Sequence, residues 1–390
     1  MRVLAPLLPV LVLVAGVVGA SPGASDDVCS AARAGQWQLS ALRLPEAWRE
    51  SRGAGVVVAV LDTGVNGRHP DLRGAVTEGP DLTGASPRLS GRHGTAMAGL
   101  IAGRGHGERH AEGVMGVAPA ARVLSIRVTL ENADPLRAER RSVRRDALAA
   151  GIRYAADHGA DVISMSLGGG SGSWEGSAAE EAAVRYAIGR GAVLVASAGN
   201  DGDTANRKNF PAAYPGVIAV GAVDRRLRVA SFSNRQDYLS VVAPGTDVVT
   251  ADGGDAYAVG DGTSSAAALV AGVAALVRSA HPGLSPYHVR LAIERGTRKR
   301  PARGHSPAYG HGVADAVLAL REAGRLAHGT VPPHARPGPF ATGPGPAAGR
   351  GQAVPPPASR TPIVAGMLML AAAMSVRVVS TRRRRGRDSA

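Results

Sequence analysis

Short apolar runs alternate with segments of helical periodicity through the middle of the 390-residue chain. The apolar runs are rich in Val, Ile, Leu and Ala and lie at 56–61, 123–128, 162–165, 192–196 and 217–220. The helical segments between or after them cover 146–158, 176–190, 263–280 and 285–295. Nearly continuous apolar strands separated by helices are typical of a parallel sheet that is covered on both faces. The pattern therefore predicts an α/β fold with a doubly wound, mostly parallel sheet.

Both ends of the chain carry apolar runs of a different kind. Arg2 precedes an apolar stretch that ends at Val18-Gly19-Ala20, a small-residue cleavage site, so residues 1–20 are predicted to be a signal peptide. An uncleaved anchor helix is the alternative. Residues 362–380 are predicted to form one transmembrane helix, and the Arg-rich tail at 381–390 indicates that this end is cytoplasmic. A soluble amphipathic tail is the alternative there.

The remaining sequence divides by composition. Residues 21–40 form a linker-like N-terminal extension, and 41–325 have the length of one large domain. Residues 326–361 are rich in Pro, Gly and Ala, which favours a semi-rigid spacer over a packed core. Together with the ends, this organisation predicts a single-pass membrane protein whose main domain lies outside the cytoplasm.

Charge and cysteine content narrow the function classes. The formal net charge is +14, but the basic residues cluster at 298–303 and 382–387 and aromatic residues make up only 3% of the chain. Because stacking aromatics do not accompany the basic clusters, we expect no nucleic-acid partner. Cys29 is the single cysteine, so the chain forms no intrachain disulfide even in an oxidising compartment.

Three polar residues lie at positions where such a fold carries chemistry. Asp62 ends the first apolar run, and active sites of parallel sheets lie at the carboxyl ends of their strands. His93 begins a helical segment of small residues, and Ser264 opens the long apolar helix. Each residue alone has an ordinary structural explanation: a turn carboxylate, a structural histidine or a helix N-cap. A serine at a helix N-terminus would also have backbone N–H groups beside it that stabilise an oxyanion.

The three residues occur in the order Asp62-Thr63-Gly64, His93-Gly94-Thr95 and Gly262-Thr263-Ser264. With these motifs the chain closely resembles the subtilisin-like serine protease family over roughly residues 41–320. Further segments that resemble family landmarks lie at 166–169, 196–201, 220–223, 231–234, 242–245 and 309–312. The resemblance implies a subtilisin-like fold and a serine endopeptidase that acts on polypeptide substrates.

The resemblance also implies the roles of individual residues. Asp62, His93 and Ser264 would be the catalytic triad, and Asn200 would donate to the oxyanion. Ser166, Leu167 and Gly168 would bind an extended substrate as an added strand. The mechanism needs no metal or other cofactor. Structural calcium is common in the family, but the sequence offers no acidic loop to which it can be assigned.

Three positions depart from the usual family pattern. Ala268 stands where proline is usual, Ser265 where a larger apolar residue is usual, and Arg92 where a small or acidic residue precedes the histidine. None of them removes a catalytic group. Ala268 nevertheless raises the question of whether the helix that carries Ser264 is displaced, since a shift of about 1 Å can cost 10²-fold in rate.

The overall architecture resembles the mycosins, which are membrane-anchored proteases associated with type VII secretion in actinobacteria. The short segment before the first strand, the spacer, the C-terminal apolar run and the Arg-rich tail carry this resemblance. Mycosins usually contain disulfides, whereas Cys29 has no second cysteine to pair with. Two other functions stay open: a non-catalytic structural subunit of a secretion complex, and a general cell-surface protease.

Overall fold

The computed structural model describes residues 23–84, 91–134, 136, 141–168 and 175–329. The predicted signal peptide, transmembrane helix and basic tail lie outside these residues, as does the predicted spacer after residue 329, so those four predictions stay predictions. The first residues assigned to the spacer, 326–328, are the end of the helix Ala316–His328.

Thirteen strands are defined in the described residues. They are β1 Val57–Asp62, β2 Val76–Asp81, β3 Arg104–His106, β4 Glu112–Met115, β5 Arg122–Arg127, β6 Val162–Met165, β7 Val193–Ser197, β8 Ile218–Val223, β9 Val241–Pro244, β10 Val248–Ala251, β11 Tyr257–Gly260, β12 Thr297–Arg298 and β13 Val313–Ala314. Nine of them form one sheet in the order β12-β13-β9-β8-β7-β6-β1-β5-β2. Its pairs are parallel except β12–β13, which confirms the predicted sheet.

Strand β1 lies where the direction of sheet growth reverses. Val58 aligns with Val123 of β5 on one side and with Val162 of β6 on the other. After β1 the chain builds β2 and β5 on one side, and it then crosses to β6 on the other side. Since ligands of open α/β sheets bind at such switch points, the carboxyl end of β1 is the expected position of a site.

Alternate residues of β1 enter two separate hydrophobic cores. Val58 and Val60 pack on one face of the sheet, whereas Ala59 and Leu61 pack on the other. Successive side chains of a strand point to opposite faces. A strand covered on both faces therefore needs apolar residues at every position. Each fully buried Val or Leu contributes about 1.5–3 kcal/mol to stability.

Helices cover both faces of the sheet, as the pattern predicted. In the order of the chain they are Gly23–Gly35, Trp37–Ala41, Leu44–Ala47, Arg92–Ala102, Arg141–Asp157, Ala178–Gly189, Thr263–Ala280, Pro286–Arg295 and Ala316–His328. We call Gly23–Gly35 the N-terminal helix, Arg92–Ala102 the His93 helix and Thr263–Ala280 the central helix. The central helix packs against β6, β7, β8 and β9 and against the His93 helix.

Among the described residues, the central helix alone is long and apolar enough to cross a membrane. Its 18-residue window is 83% buried inside the fold. Apolar residues on all sides of a helix are expected when protein surrounds it. It is therefore the core helix of the domain. This finding does not test the membrane span predicted at 362–380, which lies outside the described residues.

The segment predicted as a linker-like extension is folded. Residues 23–41 form two helices, and side-chain amides anchor them to strands. Gln36 donates to the Met115 carbonyl at 2.9 Å and accepts from the Met115 N–H at 2.8 Å. Gln38 donates to the Val249 carbonyl at 2.9 Å and is fully buried. The linker interpretation of this segment does not hold, because its helices pack on the domain through these amides and through Ala32 and Leu39.

Candidate active site

Asp62 is the last residue of β1 and lies at the switch point of the sheet. Only 1% of its surface is exposed, and its Oδ1 accepts the Thr63 N–H at 2.7 Å. Gly64, at φ +98°, then turns the chain away from the sheet. The buried strand thus presents one carboxylate at its carboxyl end, where the sequence predicted it.

The small residues around His93 allow its helix to pack directly on this turn. A Cβ atom at Gly94 would lie 2.1 Å from the Gly64 carbonyl oxygen, and one at Gly91 would lie 2.2 Å from the Thr63 carbonyl oxygen. The Gly94 N–H donates to Thr63 Oγ1 at 3.0 Å. Close packing of the His93 helix therefore brings its first turn to the end of β1.

His93 and Asp62 form a direct hydrogen bond. The distance from His93 Nδ1 to Asp62 Oδ1 is 2.8 Å. An ionised carboxylate only accepts, so Nδ1 carries the proton and Nε2 of the neutral ring is an acceptor. The His93 side chain is 35% exposed while Asp62 is buried. The buried partner fixes the tautomer and the orientation of a ring that solvent or substrate can reach.

Glu131 also contacts His93, and this residue was not identified from the sequence. Its Oε1 accepts the backbone N–H of His93 at 3.0 Å. That N–H lies in the first turn of the His93 helix, where the helix itself supplies no acceptor. A carboxylate at a helix N-terminus also interacts favourably with the helix dipole.

Ser264 is the second residue of the central helix and is half-buried. Its hydroxyl donates to the Ser166 carbonyl at 3.3 Å, and the Ser166 hydroxyl donates to the Ser264 carbonyl at 3.0 Å. Among the described residues, the hydroxyl is thus bonded to Ser166 rather than to the His93 ring. The neighbouring Ser265 is only 6% exposed, so Ser264 is the more accessible of the two hydroxyls.

Asn200 follows β7 and is held by the residue before Ser264. Its Oδ1 accepts both the N–H and the hydroxyl of Thr263, each at 2.9 Å. Thr263 Oγ1 in turn accepts the Gly199 N–H at 3.2 Å, which leaves the hydroxyl hydrogen for Asn200. Two donors on Oδ1 fix the amide orientation. The Nδ2 group then lies beside Gly262, 3.6 Å from where a Cβ atom would stand.

The segment after β6 keeps some of its backbone groups inside the fold. The Leu167 carbonyl accepts from Ser197 Oγ at 3.0 Å and from Asn209 Nδ2 at 3.3 Å. Asn209 fills the space beside Gly168, since a Cβ atom there would lie 2.1 Å from its Nδ2. Gly168 has φ +126°. Asn209, like Thr263, supports the site and was not identified from the sequence.

Comparison with known proteins identifies the family. The Subtilase family profile matches residues 53–312, which contain Asp62, His93, Asn200 and Ser264. The chain belongs to the subtilase family. The family and its named relatives make the chain a subtilisin-like serine endopeptidase.

Several relatives are similar over most of this subtilase. Thermitase of Thermoactinomyces vulgaris is 39% identical over 282 residues, which cover 70% of this chain and 94% of thermitase. Two other curated relatives are longer, and the match spans 62% and 43% of them.

Solved mycosins are among the similar structures. MycP3 protease from the type VII (ESX-3) secretion system has a TM-score of 0.62 and 34% identity, covering 73% of this chain and 88% of MycP3. MycP1 from Mycobacterium smegmatis has a TM-score of 0.61 and 30% identity, covering 73% of this chain and 84% of MycP1.

Arg92, which departs from the subtilase pattern, is bound by an acidic partner. Its guanidinium donates two hydrogen bonds to Asp252, from Nε at 2.7 Å and from Nη2 at 2.6 Å. These bonds hold the pKa of Asp252 below its usual range and raise the pKa of Arg92. The cation beside His93 is thus paired with a carboxylate of the neighbouring loop.

Structural calcium, which the family resemblance left possible but unassigned, stays untested by the described residues. Among them, one group of three His, Cys, Asp or Glu side chains brings its ligand atoms together: Cys29, His106 and Glu112. Calcium takes six to eight oxygen ligands, whereas a thiol and an imidazole favour softer metals.

Proposed function

We propose that Asp62, His93 and Ser264 are the catalytic triad of a membrane-anchored, extracytoplasmic serine endopeptidase with a mycosin-like role in type VII secretion. The 2.8 Å hydrogen bond between His93 Nδ1 and Asp62 Oδ1 carries the proposal. It leaves Nε2 as the basic nitrogen, which the reaction requires for removing a proton from a serine hydroxyl. The Asp62 carboxylate stabilises the imidazolium that forms.

In the first half of the reaction, Ser264 Oγ attacks the scissile carbonyl while His93 Nε2 takes the hydroxyl proton. His93 then gives that proton to the leaving amine, and the C–N bond breaks to leave an ester on Ser264. In the second half, water attacks the ester with the same ring as base. Ser264 is released with its proton, and the carboxylic acid product leaves.

Substrate binding would prepare the Ser264 hydroxyl for attack. The hydroxyl donates to the Ser166 carbonyl over a long 3.3 Å contact. A substrate N–H that pairs with this carbonyl competes with the hydroxyl for the acceptor and releases it to turn toward His93. Catalytic hydrogen bonds in ligand-free proteins are often loose and tighten in the substrate complex.

Asn200 would stabilise the developing oxyanion together with the Ser264 N–H. Thr263 holds Asn200 Oδ1 with two hydrogen bonds, so the Nδ2 donor needs no reorientation when the charge develops. The Ser264 N–H lies in the first turn of the central helix, where no intrahelical acceptor is available. Preorganised donors of this kind are worth about 10²–10³ each in turnover.

Ser166 and Gly168 would form backbone hydrogen bonds with an extended substrate. The Leu167 carbonyl between them is bonded to Ser197 and Asn209 inside the fold. The backbone groups of Ser166 and Gly168 would pair with a peptide added as a strand beside this segment. The specificity for side chains is left to the pockets around this strand.

The cellular part of the proposal rests on the sequence and on the mycosin neighbours. The apolar run at 362–380 and the basic residues after it favour a single-pass anchor with the peptidase domain outside. Similar solved structures include proteases of type VII secretion systems. A secreted polypeptide of such a system is the substrate class that fits both observations.

Burst kinetics with a nitrophenyl ester test the triad assignment. The wild type should release one equivalent of nitrophenol rapidly as the acyl-enzyme forms. Ser264→Ala should abolish the burst, whereas the matched control Ser265→Ala should keep it. A burst that persists in Ser264→Ala would show that another residue is the nucleophile.

Membrane fractionation and a cleavage profile test the cellular role. The full chain should stay with membranes after high-salt washing, and a chain that ends at residue 361 should be released. Cleavage of one or a few proteins in a type VII secretome supports the mycosin-like role. Broad digestion of casein together with that secretome would instead favour a general cell-surface protease.

A further inference from the structure

A second group of reactive side chains lies outside the peptidase site and joins three elements of the fold. Cys29 comes from the N-terminal helix, His106 from β3 and Glu112 from β4. One ligand atom from each lies within 4.8 Å of the others. We propose that these three residues, here called the thiol–imidazole cluster, bind a zinc ion that fastens the N-terminal helix to the β3–β4 hairpin.

The spacing of the donors is suited to a small tetrahedral ion. His106 Nε2 lies 3.6 Å from Glu112 Oε2. Nitrogen and oxygen ligands bind zinc at about 2.0–2.2 Å, so two of them at a tetrahedral ion are about 3.4 Å apart. The thiol lies within 4.8 Å of a ring nitrogen of His106 and of a carboxylate oxygen of Glu112, and it can close on an ion by a change of rotamer. Water would occupy the fourth position.

A buried carboxylate orients His106 for this task. His106 Nδ1 lies 2.6 Å from Asp71 Oδ1, and Asp71 Oδ2 accepts the Val114 N–H at 2.8 Å. Asp71 has no exposed surface. Because the carboxylate accepts the Nδ1 proton, the neutral ring presents its Nε2 lone pair on the side of Glu112. Metal-binding histidines are commonly held by such a carboxylate behind the ring.

The scaffold around the cluster is closely packed. Gly105 and Gly107 have φ values of +65° and +71°, and they bend the hairpin around the Glu112 side chain. A Cβ atom at Gly107 would lie 2.6 Å from the Glu112 carboxyl carbon. Arg33, one turn after Cys29, donates to the carbonyls of residues 110, 112 and 113. These bonds hold the thiol's helix against the strand that carries Glu112.

The charges of the cluster balance when a divalent ion is bound. Arg33 lies close enough to Asp71 for their charges to interact, so these two ions offset each other. The Cys29 thiolate and the Glu112 carboxylate then offset the two charges of zinc. The Tyr257 hydroxyl also bonds to Asp71 and Cys29.

The donor types and their exposure select the ion. Thiolate, imidazole and carboxylate together suit zinc, whereas calcium would lack most of its oxygen ligands. The side chains of His106 and Glu112 are 27% and 30% exposed, so an ion can enter from solvent. Metal binding at such a site contributes to folding stability, because the donors come together only in the folded chain.

Cobalt and zinc titration of the full chain, purified with a chelator, tests this site. Cobalt should bind at one equivalent and give the near-ultraviolet absorption of a thiolate ligand, and zinc should displace it. Zinc in excess should raise the melting temperature by about 4 °C or more, whereas calcium should not. A lack of saturable binding at one equivalent, or a shift with calcium in place of zinc, would overturn the proposal.

Substitutions of the donor residues test whether the metal binds at the thiol–imidazole cluster. Cys29→Ser and His106→Gln should each lose the cobalt absorption and the zinc-dependent shift. The control His110→Asn, on the same hairpin but outside the donor set, should keep both. Melting curves without metal show whether each variant is folded, and the second variant carries the test if the first does not fold. Cobalt absorption that survives in folded Cys29→Ser contradicts the assignment.

Discussion

Two histidines of this subtilase are held in nearly the same way and stand in different surroundings. His93 Nδ1 bonds to the buried Asp62 at 2.8 Å, and His106 Nδ1 bonds to the buried Asp71 at 2.6 Å. In both, the carboxylate fixes the tautomer so that Nε2 is the reactive atom. The arrangement of ring and carboxylate therefore does not by itself define a catalytic site.

The neighbours of Nε2 make the difference. For the His93 site, we propose that Ser264, in the first turn of the central helix, and Asn200 supply the nucleophile and an oxyanion donor. Around His106 the neighbours are a carboxylate and a thiol, which suit a cation. Nothing at His106 corresponds to a serine at a helix N-terminus within the described residues. These neighbours are the reason for proposing proton transfer at the first pair and coordination at the second.

Replacing each ring gives the largest expected contrast between the two sites. We expect His93→Ala to lower kcat by about 10⁶-fold, because removal of the general base disables the whole triad. His106→Ala should leave peptidase activity per folded molecule within a few-fold of wild type and abolish zinc binding. Steady-state kinetics on a peptide substrate measure both. Equal losses of activity would remove the functional distinction between the two rings.

Replacing each carboxylate by its amide sharpens the same contrast. Asp62→Asn should lower kcat by about 10⁴-fold, since the amide can donate to Nδ1 and favours the wrong tautomer. Asp71→Asn should lower the melting temperature and weaken zinc binding without a comparable loss of kcat. Kinetics and thermal denaturation on both variants distinguish these outcomes. A 10⁴-fold loss in folded Asp71→Asn would contradict the separation.

Removing the amide at Asn200 tests the oxyanion donor that is proposed for the His93 site. Asn200→Ala should reduce kcat by about 10²–10³-fold with little change in KM, because the donor acts on charge that develops in the transition state. An increase in KM at constant kcat would instead indicate that Asn200 binds the ground state. Thr263→Val, which removes the hydroxyl that orients Asn200, should show a smaller loss of the same kind.

Breaking the ion pair between Arg92 and Asp252 should have the smallest effect on activity and stability. Solvent screens exposed ion pairs, so Arg92→Ala should change stability and activity only slightly. Arg92 holds the pKa of Asp252 below its usual range, so the stabilisation is fully present above the ordinary carboxyl pKa of about 3.9. It is lost as the pH falls through the lowered pKa of the folded state. The melting-temperature difference between wild type and Arg92→Ala should therefore be constant from neutral pH to about pH 5 and shrink in stronger acid.

The sequence predicted the sheet and the three catalytic candidates because each signal is local. Runs of buried residues mark the parallel strands, and the strand end at Asp62 is visible as the point where apolar residues stop. The glycines at 91 and 94 record the close approach of the His93 helix. Such information lies within a few neighbouring residues of each motif.

Two other features were beyond sequence reasoning because their contacts join distant parts of the chain. The N-terminal helices are anchored by Gln36 and Gln38, whose amides satisfy backbone groups of β4 and β10. A hydrophobic pattern does not record polar anchors, so the segment resembled a linker. The thiol–imidazole cluster likewise draws one donor from each of three elements, without the short ligand spacing that marks zinc motifs.

The residues that support His93, Leu167 and Arg92 show the same limit. Glu131, Asn209 and Asp252 are ordinary loop residues in the sequence, and only the fold brings them to the site. Ala268, which departs from the usual proline, is fully buried in a helix that stays continuous from Thr263 to Ala280. The departure therefore leaves the helix that carries Ser264 unbroken.

Mapping a fluorophosphonate adduct by peptide mass spectrometry tests the proposed nucleophile most directly. The probe reacts with a serine that a neighbouring base activates. We predict a single adduct on Ser264 in the wild type, none in Ser264→Ala and at least a 10³-fold slower reaction in His93→Ala. An adduct on Ser265, or equal labelling of wild type and Ser264→Ala, would contradict the assignment of the triad.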